Sequence, residues 1–282
     1  MSDIEYKLFD PKVDYVFKIL FGDEEDKSML ISLLNAILRG RPTIKDLTLH
    51  NTEIGKILKD NKSCRLDILA TSDEGIKFNI EMQCKKTKDV INRTVYYASK
   101  LFTKDLKENE DYNSSKVISI WIFGENVTDR KEPINEAYMT LKQNDKDNYE
   151  ILTDNLRIIY LELNKYKVTN ENINDKLTKW VDFLTNPMYV YKNTIEDKDI
   201  DKARRKLEFI SCDDKERASL EAIKEGLFDQ ISSYNIGKKE GLDKGLKEGK
   251  VEMAKILLKS GVDINIISKS SGLTIDEIEK LK

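Results

Sequence analysis

Two short stretches, Arg65-Leu66-Asp67-Ile68-Leu69-Ala70 and Phe78-Asn79-Ile80-Glu81-Met82-Gln83-Cys84, decide how this chain is read. Apolar Leu66, Ile68 and Ala70 alternate with Arg65 and Asp67; Phe78, Ile80, Met82 and Cys84 alternate with Asn79, Glu81 and Gln83. A period of two marks a strand with one core face and one polar face. The connector Thr71-Ser72-Asp73-Glu74-Gly75 suits a three-residue hairpin with Gly75 left-handed. That turn pairs Ser72 with Ile76 and, counting outward, Asp67 with Glu81 and Arg65 with Gln83. A two-residue loop would set Asp67 opposite Ile80 and mix a carboxylate into the apolar face, so the hydrophobic pattern selects the first register. Two carboxylates then stand opposite each other, an arrangement tolerated when a cation sits between them.

An acidic pair with Gln two residues after the second acid is what a magnesium site for phosphodiester hydrolysis needs. Mg²⁺ takes oxygen ligands from one or two carboxylates and waters, and a substrate phosphate completes the shell. Asp67 and Glu81 would be ligands, with the backbone carbonyl of Met82 as a third. Gln83 would orient the attacking water or a phosphate, although an amide cannot be a general base. The other reading is three polar side chains on the wet face of a half-buried sheet. Spacing leaves both open.

The pattern Cys64-Arg65-Leu66-Asp67-Ile68-Leu69-Ala70 followed by Ile80-Glu81-Met82-Gln83 resembles the core of the PD-(D/E)XK nuclease superfamily, in its Rpn branch of recombination-promoting nucleases and transposases. Asp14-Tyr15-Val16-Phe17-Lys18-Ile19-Leu20-Phe21-Gly22 is similar to the opening helix of that branch. Arg93-Thr94-Val95-Tyr96-Tyr97-Ala98-Ser99-Lys100-Leu101 resembles its helix after the catalytic hairpin. The resemblance extends over nearly the whole chain. It implies an α/β fold with an αβββαβ core, a mixed sheet flanked by helices, and a metal-dependent DNA endonuclease using Mg²⁺ or Mn²⁺. It implies a bacterial, cytoplasmic setting tied to recombination and to mobile or defence elements. Asp67 and Glu81 fall on the two metal-binding acids of the family, and its name-giving lysine falls on Gln83. Lys85 and Lys86 lie just beyond and offer positive charge. The competing reading is a non-catalytic DNA-binding or regulatory protein that retains the nuclease fold.

The 282 residues, 39% of them hydrophobic, suffice for one large or two modest cores. No apolar run approaches the roughly 18 residues of a membrane span and no secretory leader is visible, so the expected location is cytoplasmic, with no membrane partner. Cys64, Cys84 and Cys212 lack Cys-x-x-Cys spacing, which points away from a disulfide framework or zinc site. His50 is the only histidine and reads as a strand-end polar residue. A formal charge of −3 is not that of a nucleic-acid coater, so any grip on DNA must be local.

Helical stripes Val13, Val16, Phe17, Leu20 and Met29 to Leu38 open the chain. Asp14 and Lys18 share an outer face, either as an i, i+4 ion pair or with Asp14 turned toward the metal site as a supporting acid. Three strands are expected near 44 to 53, 63 to 72 and 76 to 84, with Asn51 and Glu53 closing the first. A helix from about 87 to 108 would bury Ile91, Val95, Ala98 and Phe102. Its other face would present Arg93, Tyr97, Lys100 and Lys104, the candidate DNA-backbone contacts together with Lys85 and Lys86. Val117 to Phe123 reads as a buried strand and Leu156 to Leu163 as another.

Residues 1–170 read as the nuclease core, 171–235 as a helical extension, and 236–282 as a Gly-repeat helix with a small helical interaction region. Gly237, Gly241, Gly245 and Gly249 recur every fourth residue between charged spacers. Each weakens a helix by roughly 1 kcal/mol relative to alanine, so this segment is either a linker or a helix used in self-association; a homo-oligomer, most simply a dimer, is expected through these C-terminal helices. The patterns at Val251 to Lys259, Asp263 to Ser268 and Ile275 to Leu281 outline a helix-turn-helix. Its last helix carries Asp276, Glu277 and Glu279, poor equipment for DNA, so a protein-interaction bundle is the preferred reading.

Overall fold

The computed structural model describes residues 8–50, 53–54, 64–65, 67–104, 115–142, 149–192 and 196–281. Backbone contacts divide the chain into two units, Met1–Asp214 and Lys215–Lys282. In the first, chain order runs α1 (Asp14–Phe21), α2 (Ser28–Leu38), β1 (Leu47–His50), β2 (Glu53–Ile54), β3 (Cys64–Arg65), β4 (Ile68–Ser72), β5 (Lys77–Gln83), α3 (Val90–Thr103) and β6 (Val117–Phe123). It continues with β7 (Ile134–Lys142), β8 (Tyr149–Glu162), α4 (Lys176–Thr185), α5 (Pro187–Lys192) and α6 (Lys198–Cys212).

Six strands form one mixed sheet in the order β1-β4-β5-β6-β8-β7, flanked by helices. The β4–β5 hairpin has the register its turn chemistry requires. Ile68 faces Ile80 and Ala70 faces Phe78, Ser72 N–H donates to the Ile76 carbonyl at 2.9 Å, and Gly75 sits at φ +77°. β5, β6 and β8 run parallel, which needs a crossover; α3 supplies the one between β5 and β6. All seven residues of β6 are buried, as its continuous apolar run predicts for a strand covered on both faces.

The outer face of the hairpin is not wet. α3 lies over it, with Leu101 packing on Leu69 and Val117, and Val90 and Ala98 packing on Trp121, Phe123 and Tyr160. The buried stripe of α3 is Val90, Thr94, Ala98 and Leu101, while Ile91 and Val95 are 39% and 49% exposed, which corrects the expected face. The rotation is stabilised by Thr94, whose hydroxyl meets both the Ile91 carbonyl and the Tyr160 hydroxyl, so a polar residue enters the core without an unmet hydrogen bond.

The single strand expected over 63 to 72 is two. Cys64 and Arg65 pair with Ile54 and Glu53 in a separate two-stranded ladder, and the main-sheet strand begins at Ile68, so Arg65 does not face Gln83. A bend at Asp67 separates them. Asn51 lies outside the described residues. β7 is a strand the sequence pattern did not announce; it pairs antiparallel with β8 through two register shifts.

Helices α4 to α6 brace α1 and α2. Trp180 stands edge-on to Phe21 at 5.5 Å and its indole N–H donates to Ser32, while Lys206 reaches Asp23. In the second unit, α7 (Asp214–Lys259) is a continuous helix through all four repeat glycines, and among the described residues a Cβ at any of them would meet nothing within 4 Å. Its last turns join α8 (Ile264–Ser271) and α9 (Ile275–Glu279) around Ala254, Ile267, Leu273 and Ile278. Gly261 and Gly272 supply the left-handed turns, and Thr274 with Glu277 forms a capping box. Among the described residues no helix is long and apolar enough to cross a membrane.

Candidate active site

The hairpin register continues past Ile68 and Ile80 to bring Asp67 beside Glu81, and there the ladder changes character. Side chains take over from the main chain: Met82 N–H donates to Asp67 Oδ2 at 2.8 Å, and Asp67 N–H donates to Glu81 Oε1 at 3.4 Å. Glu81 is fully buried, Asp67 is 8% exposed, and among the described residues Glu81 Oε2 has no hydrogen-bond partner. An orphan buried carboxylate oxygen is costly. Burial, followed by the negative charge of Asp67, pushes the Glu81 carboxyl up to about 9. Burial, followed by a hydrogen bond and charge from Asp14, pushes Asp67 up to about 7. Near neutral pH this pair therefore holds protons that exposed carboxylates would have lost.

α1 brings two more groups to the pair. Lys18 forms the expected i, i+4 pair with Asp14 at 2.9 Å, and its ammonium also lies 3.3 Å from Asp67 Oδ1. The ion pair reading of Asp14 is met by Lys18, and the Asp14 carboxylate is also near enough to Asp67 to raise that carboxyl. The contact of Lys18 with Asp67 has no local signal in the sequence, because 49 positions separate the two residues and only the tertiary fold joins them.

α3 supplies the cation on the other side. Arg93 does not point outward with Lys100 and Lys104: its guanidinium donates to Gln83 Oε1 at 3.3 Å and lies over the rings of Tyr97 (5.1 Å) and Trp121 (5.8 Å). Its charge opposes the upward shift of Glu81. The Gln83 amide is held at both ends, since its Nε2 donates to the Met82 carbonyl at 3.2 Å. That carbonyl, expected as a metal ligand, has this amide as its partner here. Gly124 fixes the strand end: its N–H donates to the Gln83 carbonyl, and a Cβ there would come within 2.8 Å of the Cys84 carbonyl oxygen.

The other candidates lie just past β5 and along α3. Lys85, Lys86 and Lys104 are exposed, Lys100 lies over the Tyr96 ring, and Tyr97 is half-buried against Trp121. Cys84, expected on the apolar face, is exposed, and its thiol donates to the Lys12 carbonyl. Two surface clefts, of about 740 and 440 Å³, run along the β7 edge past Glu132 and Glu136, away from the acidic pair.

Among the described residues no group of three or more His, Cys, Asp or Glu side chains forms a metal cage. A divalent ion that takes one or two carboxylates and fills its shell with water and phosphate does not need one. The donor set present is all oxygen, and the orphan Glu81 Oε2 beside Asp67 is the atom such an ion would satisfy. These residues fit the group.

No curated protein and no solved structure matches the chain. The family model described as PD-(D/E)XK nuclease family transposase matches residues 11–236, a span that contains Asp14, Lys18, Asp67, Glu81, Gln83 and Arg93. Nucleases of the PD-(D/E)XK kind generally use divalent metal ions, in keeping with the oxygen donors at the hairpin. With a match over most of its length, the chain belongs to the PD-(D/E)XK nuclease family transposases.

Proposed function

We propose that this protein is a divalent-metal-dependent DNA endonuclease, using Mg²⁺ or Mn²⁺, that hydrolyses phosphodiester bonds at Asp67 and Glu81 in recombination or mobile-element and defence functions. The observation that carries this reading is the orphan carboxylate oxygen of Glu81, buried beside a second carboxylate. A protein does not keep two repelling buried acids for stability, because replacing them by apolar groups would be neutral or favourable. On this reading α1, β1, β4, β5, α3 and β6 are the αβββαβ core, and the helices from α4 onward are its extension.

Asp67 and Glu81 would hold the ion, with Met82 carbonyl or Asp14 as supporting donors. When bound, the ion polarises the phosphate and lowers the pKa of a bound water. The remaining work falls to the chain. Gln83, fixed by Arg93 and by the Met82 carbonyl, presents its remaining amide hydrogen to a water or phosphate oxygen. Arg93, tied to Gln83 at the position where this family carries its lysine, would add a fixed positive charge beside the phosphate. Lys85 and Lys86, just past β5, and Lys100, Lys104 and Tyr97, on α3, would contact the DNA backbone. A cytoplasmic homodimer associating through the C-terminal helices is the assembly we favour, because Leu242, Leu246, Met253 and Ile256 are all about half exposed or more on α7.

The test is cleavage of supercoiled plasmid by the purified full chain with Mg²⁺ and with chelator. Cleavage should require the ion and should be lost in Asp67→Asn and Glu81→Gln, which retain an oxygen acceptor for the Met82 and Asp67 N–H groups. Cutting at the wild-type rate by both variants would remove the assignment.

A further inference from the structure

We propose that Lys18 is the resident cation of the metal-free site, and that the divalent ion enters by displacing its ammonium from Asp67. This inference rests on the metal reading above and concerns how the site is kept before the ion arrives.

The atoms of the acidic pair are almost all engaged. Asp67 Oδ2 accepts from Met82 N–H at 2.8 Å, and Glu81 Oε1 accepts from Asp67 N–H. What remains is Glu81 Oε2, which has no partner among the described residues, and Asp67 Oδ1, which faces Lys18 Nζ at 3.3 Å. Asp67 Oδ1 is the Asp67 oxygen that no main-chain N–H occupies, so a divalent ion held by this pair would compete for it with the ammonium. The two cations cannot share it without like-charge repulsion in a poorly hydrated place.

Lys18 is built to give way. Its side chain is 29% exposed, against 9% for Asp67, and its nearer contact is with Asp14, which is 57% exposed. The ammonium lies within reach of both Asp14 oxygens, at 2.9 and 3.2 Å. A lysine is a compact charge on a four-carbon stem, so it can turn off Asp67 and stay with Asp14 at the solvent edge. The i, i+4 spacing on α1 keeps that second partner in place throughout.

The consequence is a competition with a definite sign. Lys18→Met removes the competitor and should tighten Mn²⁺ binding by about tenfold, the size of a one-unit neighbouring-charge effect. Lys18→Arg keeps a cation there and should bind Mn²⁺ no more tightly than wild type. A merely structural lysine would give the opposite result, weaker binding on removal.

The experiment is Mn²⁺ titration of the full-length wild type, Lys18→Met, Lys18→Arg and Asp67→Asn, by electron paramagnetic resonance without DNA. Tighter binding by Lys18→Met alone supports the proposal, and equal or weaker binding overturns it. Should Lys18→Met fail to fold, amine acylation of the wild type decides. Lys18 should label faster with Mg²⁺ than with chelator, relative to Lys100, and unchanged labelling overturns the displacement. If wild type binds Mn²⁺, Asp67→Asn does not, and Lys18→Met is no tighter, only the role of Lys18 falls. If neither wild type nor Lys18→Met binds the ion, the metal reading falls with it.

Discussion

Glu81 and Glu162 are both fully buried glutamates in one sheet, yet they live under opposite conditions. Glu162, at the end of β8, accepts from the N–H groups of Val127 and Thr128, from the Thr128 hydroxyl, and from Lys165 at 2.6 Å. Burial works to raise its pKa, but Lys165 and the Thr128 and Val127 donors outweigh that and hold it below the ordinary range. Among the described residues Glu81 has one long hydrogen bond, a second carboxylate for a neighbour and an oxygen with no partner. The first glutamate is fully satisfied by its own chain and serves the fold. The second is incomplete, and an incompletely bonded buried carboxyl is the signature of a group kept for something that binds.

Substituting each glutamate in turn should separate these two conditions. The largest effect should be on catalysis: Glu81→Gln should lower plasmid cleavage by on the order of 10³-fold, the rate equivalent of the several kcal/mol a bound ion supplies. Glu162→Gln, compared per folded molecule in the same assay, should stay within a few-fold of wild type. Next comes stability. Glu162→Ala takes the carboxylate from Lys165, leaving its charge to the Thr128 and Arg130 carbonyls, and strands two N–H groups, so it should cost about 3–5 kcal/mol in denaturant unfolding. Glu81→Gln, in chelator, should cost about 1 kcal/mol or less, or be stabilising. Equal losses for the two would erase the distinction.

A third measurement follows from the pKa directions. Unfolded, the Asp67 and Glu81 carboxyls titrate near their ordinary values of 3.8 and 4.5, whereas the fold raises them to about 7 and 9. Between those limits the folded state binds more protons than the unfolded state, so stability falls as pH rises. Chelated wild type should be more stable at pH 6 than at pH 9, and Glu81→Gln should flatten that slope. A slope of the other sign would show that neither group is raised. The smallest effect belongs to the rim. Replacing Arg93, Lys100 and Lys104 together by Ala should weaken DNA binding evenly across sequences and flatten the dependence of log affinity on log salt by up to about 0.9 for each phosphate no longer neutralised. Because Arg93 is tied to Gln83, Lys100→Ala with Lys104→Ala should account for most of the salt change, and Arg93→Ala for most of any fall in turnover.

What could be read from the sequence was what short-range chemistry decides. The β4–β5 register followed from Gly75 and the alternation of Ile68, Ala70, Phe78 and Ile80, because a turn type and a period of two leave one pairing. The terminal helices followed from Gly261, Gly272 and the Thr274 cap, which act within a few residues. The burial of the polar face did not, since it depends on α3 crossing that face, and α3 chose Thr94 over Val95 because Tyr160 waits opposite. β7 was missed because Ile134–Lys142 is an edge strand, largely exposed and interrupted by two register shifts, so its alternation is blurred. Nor could Lys18 be placed on Asp67, or Arg93 on Gln83, from spacing; each joins elements that only the folded sheet brings together.

The guanidinium of Arg93 lies 5.8 Å from the centre of the Trp121 ring while its other end holds Gln83. A cation against an indole alters its fluorescence, so the protein carries an optical reporter wired to its own acidic pair. Of the two tryptophans, Trp180 is enclosed by Phe21 and Phe183, remote in sequence from that pair, and gives a steady background. Changes in emission on adding an ion or a DNA duplex will therefore follow the movement of one arginine, and occupancy can be recorded in real time without any label.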